Sequence, residues 1–237
     1  MKKFLFFMAA FIFLCSFALA DIHIKTKTHT DAVTVMGQSQ PERNEVIETW
    51  IGQDRYANHS SDMSMIVDLK KNLLYLLDHK EKTYVEASLP LDISKLLPPE
   101  MSQMMSMMQM SVSVNPTNQT KTIGSWKCQG YEVSISMMMM PMKMMVWATT
   151  DVPFDTNQFM EKFQAPLLKL QMRLDGNSLA EFFKIKGYWI SSEVTGVVMG
   201  AKIHSTSEVI EISKATASPT AYSIPANYKK TERLRLR

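Results

Sequence analysis

The sequence has few of the residues on which most enzymes and disulfide-stabilised proteins depend. Among 237 residues there are only 8 Gly and 2 Cys. It contains no G-x-S-x-G, no H-E-x-x-H and no glycine-rich phosphate loop, so the signatures of the common hydrolases, zinc proteases and nucleotide-binding proteins are absent. The five histidines are scattered over separate predicted strands and turns. We therefore expect a protein that is not an enzyme and that uses no cofactor.

The first twenty residues have the composition of a targeting segment. Lys2 and Lys3 precede an apolar stretch that begins at Phe4, and the stretch ends in Ala18-Leu-Ala20. A basic start, a short apolar core and an A-x-A site are typical of a secretory signal peptide, and the apolar core is too short to span a membrane. The sequence predicts export, with residues 1–20 removed and a mature chain that starts at Asp21.

Loss of that segment changes two properties of the chain. Lys plus Arg falls from 26 to 24 against 23 Asp plus Glu, which leaves a net charge of +1. A nearly neutral chain gives no reason to expect nucleic-acid binding. Cys15 leaves with the segment and Cys128 stays alone, so no intramolecular disulfide can form. We expect Cys128 to be a buried structural residue.

Residues 21–89 alternate between apolar and polar side chains in short stretches. The pattern covers 22–28, 63–69 and 82–88, and 73–77 is apolar on both sides. A period of two over such lengths predicts half-buried β-strands, and the polar turns between them indicate an antiparallel meander.

The second half of the chain adds helices to this β pattern. Apolar residues at helical spacing predict a helix over 101–108 and another from Asp155, which should form a capping box with Gln158. Pro166 should kink or restart this second helix. We also expect a turn at 115–118 and a helix cap at Ser178. Strand patterns return after Tyr188. The sequence thus predicts a mainly β (α+β) protein in which residues 21–237 form one domain, a sheet interrupted by two helical insertions.

Several short motifs occur in an order that resembles a known family. They are Glu48-Thr-Trp-Ile51, Asp54-Arg-Tyr56, Ile66-Val-Asp-Leu69, Leu74-Tyr75, Lys82-Thr-Tyr84, Thr120–Gly124, Trp126-x-Cys128-x-x-Tyr131, Trp147 and Ile224-Pro-Ala-Asn-Tyr228. The chain resembles a family of exported bacterial proteins of unknown function that is similar to the periplasmic lipoprotein-carrier (Lol-type carrier) superfamily. The resemblance implies a curved antiparallel sheet or half-barrel with a helical cover, in the periplasm of a Gram-negative bacterium. It transfers no carrier-specific binding residue.

Methionine is the most unusual feature of the mature chain. Residues 101–110 hold six Met and residues 137–145 hold seven, which together make 13 of the 19 that follow Ala20. Three interpretations stay open. The Met side chains could form a pliable apolar surface, since Met is unbranched and polarizable. They could bind Cu(I), because thioethers are soft ligands. They could also simply fill the core.

We adopt the first interpretation and predict an exported, non-enzymatic binding protein for an apolar or lipid-like ligand, or for a lipidated protein. The predicted ligand-binding residues are Met101, Met104, Met105, Met108, Met138, Met140, Met142, Met144 and Trp147. The alternative is a Cu(I)-binding protein whose ligands are Met142, Met144 and Met145. A structural or assembly factor of the envelope, with Met as core filler, is the third hypothesis.

The C-terminus is basic. Residues 229–237 carry five Lys or Arg against Glu232. Such a segment is attracted to anionic lipid head groups, so a peripheral membrane contact is one expectation. An exposed final strand or tail is the other.

Overall fold

A computed structural model describes residues 20–35, 37–90, 110–137, 140–172, 174, 176–198 and 200–232. Over these residues the chain forms one twelve-stranded sheet and a separate two-stranded hairpin. The strands of the first half are β1 (Asp21–Thr30), β2 (Val33–Val35), β3 (Gln38–Gln40), β4 (Arg43–Ile51), β5 (Arg55–His59), β6 (Met63–Asp68), β7 (Leu73–Asp78) and β8 (Thr83–Ser88). Those of the second half are β9 (Met110–Ile123), β10 (Trp126–Met137), β11 (Met140–Thr149), β12 (Tyr188–Val198), β13 (Ala201–Ala215) and β14 (Lys229–Lys230).

The strand order confirms a mainly β fold built on one large, open antiparallel sheet. From edge to edge it runs β14-β8-β7-β6-β5-β4-β1-β13-β12-β11-β10-β9. The predicted meander over residues 21–89 is present as β1 and β4 to β8, although β5 was not predicted. Every pair in the sheet is antiparallel except β14 with β8. The hairpin of β2 and β3 was not predicted. At the centre, β1 pairs with β13 and so joins the two halves of the chain.

The helical cover lies between β11 and β12. It consists of α1 (Thr156–Phe159), a π-helical turn (Met160–Gln164), α2 (Ala165–Met172) and α3 (Gly176–Phe182). Asp155 caps α1 as expected, since its carboxylate accepts hydrogen bonds from the backbone N–H groups of Asn157 and Gln158. Among the described residues no helix is long and apolar enough to cross a membrane.

Two local predictions were wrong. Ser178 does not cap a helix: it is a buried residue inside α3, and its hydroxyl donates a hydrogen bond to the carbonyl of Met110. Residues 115–118 are not a free turn but part of β9, where the pairing with β10 shifts register. Pro116 is tolerated there because β9 is the edge of the described sheet and needs fewer backbone donors.

Strands β4 to β8 are covered on both faces. Neighbouring residues such as Tyr56 and Ala57 are both buried, although their side chains point to opposite sides of the sheet. On one side Tyr56 packs against Phe163, with ring centroids 5.6 Å apart. On the other side Ala57, Ile66 and Leu77 form a cluster that chain segments beyond β13 cover. This explains why the sequence of β7 is apolar on both sides.

The remaining helices cover the second half of the sheet. Leu168 and Phe182 pack in one cluster with Val133 and Val146. Gly187 connects this cover to β12 with a positive φ of 100°, and a side chain at that position would overlap the backbone carbonyl of Thr149.

Candidate functional site

Met142 and Met144 lie on the helix-covered face of β11. Met144 stands opposite Val133 and Val194, and Met142 stands opposite Ile135. Both side chains are half-buried and pack against the second core cluster. In the described part of the chain, these two methionines therefore extend an apolar face and also fill part of its core.

Met145 points to the opposite face of the strand. Its cross-strand neighbours are Glu132 and Glu193, both exposed. Because adjacent strand residues alternate, the sulfur atoms of Met142, Met144 and Met145 do not converge on one point. The copper alternative would need other ligands, and among the described residues no group of three or more His, Cys, Asp or Glu is arranged to hold a metal ion.

Trp147 belongs to the larger core cluster and lies next to Gly130 on β10. The ammonium group of Lys121 sits 5.7 Å from the centre of its ring, within the range of a cation–π contact. Met140 opens β11 opposite Met137. The predicted binding residues Met101, Met104, Met105, Met108 and Met138 lie outside the described residues.

The described residues also contain an open cleft of about 720 Å³ between the helical cover and one end of the sheet. Its apolar floor comes from the ends of β1 and β4, from the segment before the π-helical turn and from that turn itself: Ile22, Ile51, Phe154, Phe159 and Phe163. A volume of this size is in the usual range for small-molecule sites. Met142, Met144 and Trp147 do not line it.

Aromatic rings pack against one another in the helical wall of the cleft. Phe154 meets Phe159 edge-on at 5.8 Å and Tyr188 at 5.3 Å. Phe159 also meets Tyr188 at 5.4 Å. Burial raises the pKa of Tyr56, which lies beneath this wall, to about 12. Tyr56 therefore stays neutral beneath the aromatic rings.

The rim of the cleft carries both signs of charge. Lys70 lies 3.6 Å from Asp54 and Lys71 lies 3.4 Å from Asp68. Both lysines are exposed, so these surface pairs contribute little to stability. Lys162 is different: its ammonium donates to the carbonyl of Gln53 at 3.4 Å, and among the described residues no carboxylate pairs with it. It is a cation available to a ligand at the mouth of the cleft.

Asp21 stands at the inner end of the cleft and is held from two sides. The hydroxyl of Tyr222 donates to its carboxylate at 3.0 Å, and the guanidinium of Arg55 lies 3.5 Å away. Arg55 also stacks over the ring of Tyr222 at 4.1 Å. Burial raises the pKa of Tyr222, and the negative charge of Asp21 raises it further, so the phenol stays a donor. This contact ties the cleft to the C-terminal part of the chain.

Two histidines form a hydrogen-bonded chain on the other side of the sheet. Nδ1 of His59 and Nε2 of His79 each lie 2.7 Å from the hydroxyl of Ser64. Nδ1 of His79 lies 2.7 Å from the hydroxyl of Tyr228, and Nε2 of His59 lies 2.9 Å from the carbonyl of Ala221. We call His59, Ser64, His79 and Tyr228 the histidine relay. Ser64 is 2% exposed, so it is not accessible to a substrate.

A second histidine pair lies at the surface, where β1 ends. Nε2 of His29 lies 2.8 Å from one oxygen of Asp31, and Nδ1 of His204 lies 3.0 Å from the other. Nε2 of His204 also lies 3.2 Å from Glu193. We call His29, Asp31 and His204 the surface cluster.

Cys128 is buried, with its thiol 3.6 Å from the carbonyl of Trp126, to which it donates. Burial raises the pKa of the thiol, which disfavours the reactive thiolate. These features agree with the structural role expected for Cys128.

Comparison with known proteins adds little. No protein-family model and no curated protein matches the chain. Among solved structures, a structure of PNGF-II aligns with 90% of this chain at 13% identity and a TM-score of 0.42. This chain spans only 31% of the length of that one. A likeness at this level carries no argument about fold or function.

Sequence reasoning missed both the cleft and the histidine relay. The cleft joins residues from β1, the β4–β5 and β6–β7 connections and α1, and no local pattern indicates that they meet. Only one feature of the sequence pointed to the histidine relay, and it did so weakly. His59 and His79 each stand next to a turn with an acidic residue, but the serine that joins them lies on a separate strand.

Proposed function

We propose that this protein is an exported, non-enzymatic binding protein for an acyl chain, carried by a free lipid or by a lipidated protein. The observation that supports it best is the open cleft of about 720 Å³ with an apolar floor and a charged rim. Burial of each methylene contributes about 0.8 kcal/mol, so a chain lying along this floor would supply most of the affinity.

The rim suits the polar end of such a ligand. Lys162 is a cation with no carboxylate partner among the described residues, and Lys70 and Lys71 are exposed and held only in weak surface pairs. An acidic head group at the mouth would approach Lys162 while the chain lies on Phe159 and Phe163. Export and a periplasmic location, predicted from residues 1–20 and from the family resemblance, belong to the same proposal.

The test is binding of a fluorescent fatty acid to the mature chain. Gln158 lines the mouth of the cleft and is exposed, so Gln158→Trp would narrow the opening without disturbing the core. If two methylenes lose their contacts, the affinity should fall about tenfold.

Asn157→Trp is the matched control, because Asn157 is the adjacent exposed residue and does not line the cleft. Its affinity should equal that of the wild type. A wild-type protein that binds neither the fluorescent fatty acid nor a lipidated peptide would contradict the proposal. Equal loss in both variants would place the ligand elsewhere.

A further inference from the structure

Residues 216–231 form a strap that runs across the outer face of β5 to β8. It contains a 3-10 helix (Pro219–Tyr222) and β14, which pairs in parallel with β8. Tyr222, Ile224 and Tyr228 of the strap pack on the cluster of Ala57, Ile66 and Leu77. The strap is thus a separate layer that closes one face of the meander.

The histidine relay binds this strap to the sheet at two points. The carbonyl of Ala221 only accepts, so Nε2 of His59 carries a proton and donates to it. If His59 is neutral, its Nδ1 accepts from the hydroxyl of Ser64. Ser64 then accepts from Nε2 of His79, whose Nδ1 accepts from the hydroxyl of Tyr228. With both histidines neutral, every polar atom of the relay has a partner.

Added protons disrupt this arrangement. A proton on Nδ1 of His79 removes the acceptor of the Tyr228 hydroxyl. A proton on Nδ1 of His59 makes both histidines donate to the oxygen of Ser64, and the serine hydroxyl hydrogen is then buried without an acceptor. Two charged rings would also face each other across one serine. Neutral histidines are therefore the state that holds the strap.

The other charged groups near the relay only partly offset this effect. Asp62 and Asp78 attract a proton to His79, but both are already engaged. Asp62 pairs with Arg43 at 2.9 Å, and Asp78 accepts from two backbone N–H groups of the following turn. Burial of the ring and the charge of His59 outweigh them, and the pKa of His79 is lowered.

The strap also reaches the cleft. Tyr222 immediately follows Ala221, which the relay holds, and its hydroxyl donates to Asp21 at 3.0 Å. Arg55, which lines the cleft, stacks on the same ring at 4.1 Å. Movement of residues 221 and 222 would therefore remove a partner from both Asp21 and Arg55.

We propose that the strap is an acid-responsive latch: protonation of the histidine relay loosens residues 216–231 and, through Tyr222, weakens ligand binding in the cleft. The first step is independent of the proposed function, whereas the second rests on it. Such a latch would retain an acyl ligand at neutral pH and favour its release in an acidic environment.

The first step is tested by amide hydrogen exchange of residues 216–231 at about pH 7.5 and about pH 5.5, where histidine titrates. Each rate is divided by that of the unfolded peptide at the same pH. Wild-type protection should fall at the lower pH. His79→Asn should weaken this pH response, because one of the two histidines that bind a proton is gone. Tyr228→Phe, which keeps the ring packing, should show reduced protection already at the higher pH.

His204→Asn is the control, since it removes a histidine that has no contact with the strap among the described residues. In this variant, the exchange protection of residues 216–231 should fall at the lower pH as it does in the wild type. Equal wild-type protection at both pH values would overturn the latch, and so would an unchanged pH response in His79→Asn.

The second step is tested with lysophosphatidylcholine, whose head group keeps its charge over this pH range. Its affinity should fall at the lower pH in the wild type and fall less in His79→Asn. A strap that opens without a change in affinity would overturn the coupling. Absence of binding at either pH would instead contradict the proposed function, because the exchange result stands without a ligand.

Discussion

The histidine relay and the surface cluster each join two histidines through one oxygen-bearing side chain, but the joining group differs. In the relay it is Ser64, which is neutral and buried. In the surface cluster it is Asp31, which is charged and exposed. A serine hydroxyl has one proton to give and favours neutral rings, whereas a carboxylate favours protonated ones.

The relay should make the protein less stable in acid. Burial lowers the pKa of His79 below its ordinary value of 6.5. The folded protein then binds fewer protons at this site than the unfolded chain. Its contribution to stability is therefore fully present above pH 6.5 and is lost as the pH falls below that value.

The surface cluster should respond in the opposite direction. Hydrogen bonds to Asn44 and Asp31 raise the pKa of His29 above 6.5, and hydrogen bonds to Asp31 and Glu193 raise that of His204. The stabilisation is fully present below pH 6.5 and is lost as the pH rises through the raised values. Between about pH 5 and 6, the surface cluster contributes its full stabilisation while the stabilisation from the histidine relay declines.

The largest effect is expected from Ser64→Ala, which breaks the relay at its centre. The change leaves Nδ1 of His59 and the N–H of His79 without a partner, and both rings are half-buried. Because water reaches part of each ring, the loss should cost about 1 kcal/mol of unfolding free energy, the lower end of the range for buried groups. Urea denaturation at about pH 7.5, where the relay is intact, measures it.

Ser134→Ala serves as the matched control, because Ser134 is also on a strand but exposed. A surface change of this kind alters stability by less than about 0.5 kcal/mol. If both variants lose the same unfolding free energy, the hydrogen bonds of the relay add nothing to stability, and the loss is only that of replacing a serine in a strand.

A smaller effect is expected from Asp31→Asn, which converts the joining group of the surface cluster into a neutral one. The pKa values of His29 and His204 should both fall towards 6.5. The variant should therefore lose more stability relative to the wild type at about pH 5.5 than at about pH 8. Urea midpoints at the two pH values measure the difference, and a larger loss at the higher pH would contradict the assignment.

The sequence predicted the fold better than the site because the two depend on different kinds of information. The alternation in β1 and the cap at Asp155 are local, and both were confirmed. The double-sided apolar pattern of β7 indicated coverage on two faces but not by which segment. The contact of Tyr222 with Asp21 joins residues 201 positions apart, so no periodicity could indicate it.

The smallest effects come from removing one histidine of each pair and titrating the other by NMR. In the relay, a proton on His59 lowers the pKa of His79, so His59→Asn should raise it. In the surface cluster, His29 is held by Asn44 and Asp31, so His204→Asn should leave its pKa raised. Two histidines that share a neutral serine oppose each other's protonation, whereas two that share a carboxylate are each stabilised by it. A pKa of His79 that does not move in His59→Asn would mean that His59 does not contribute to lowering it.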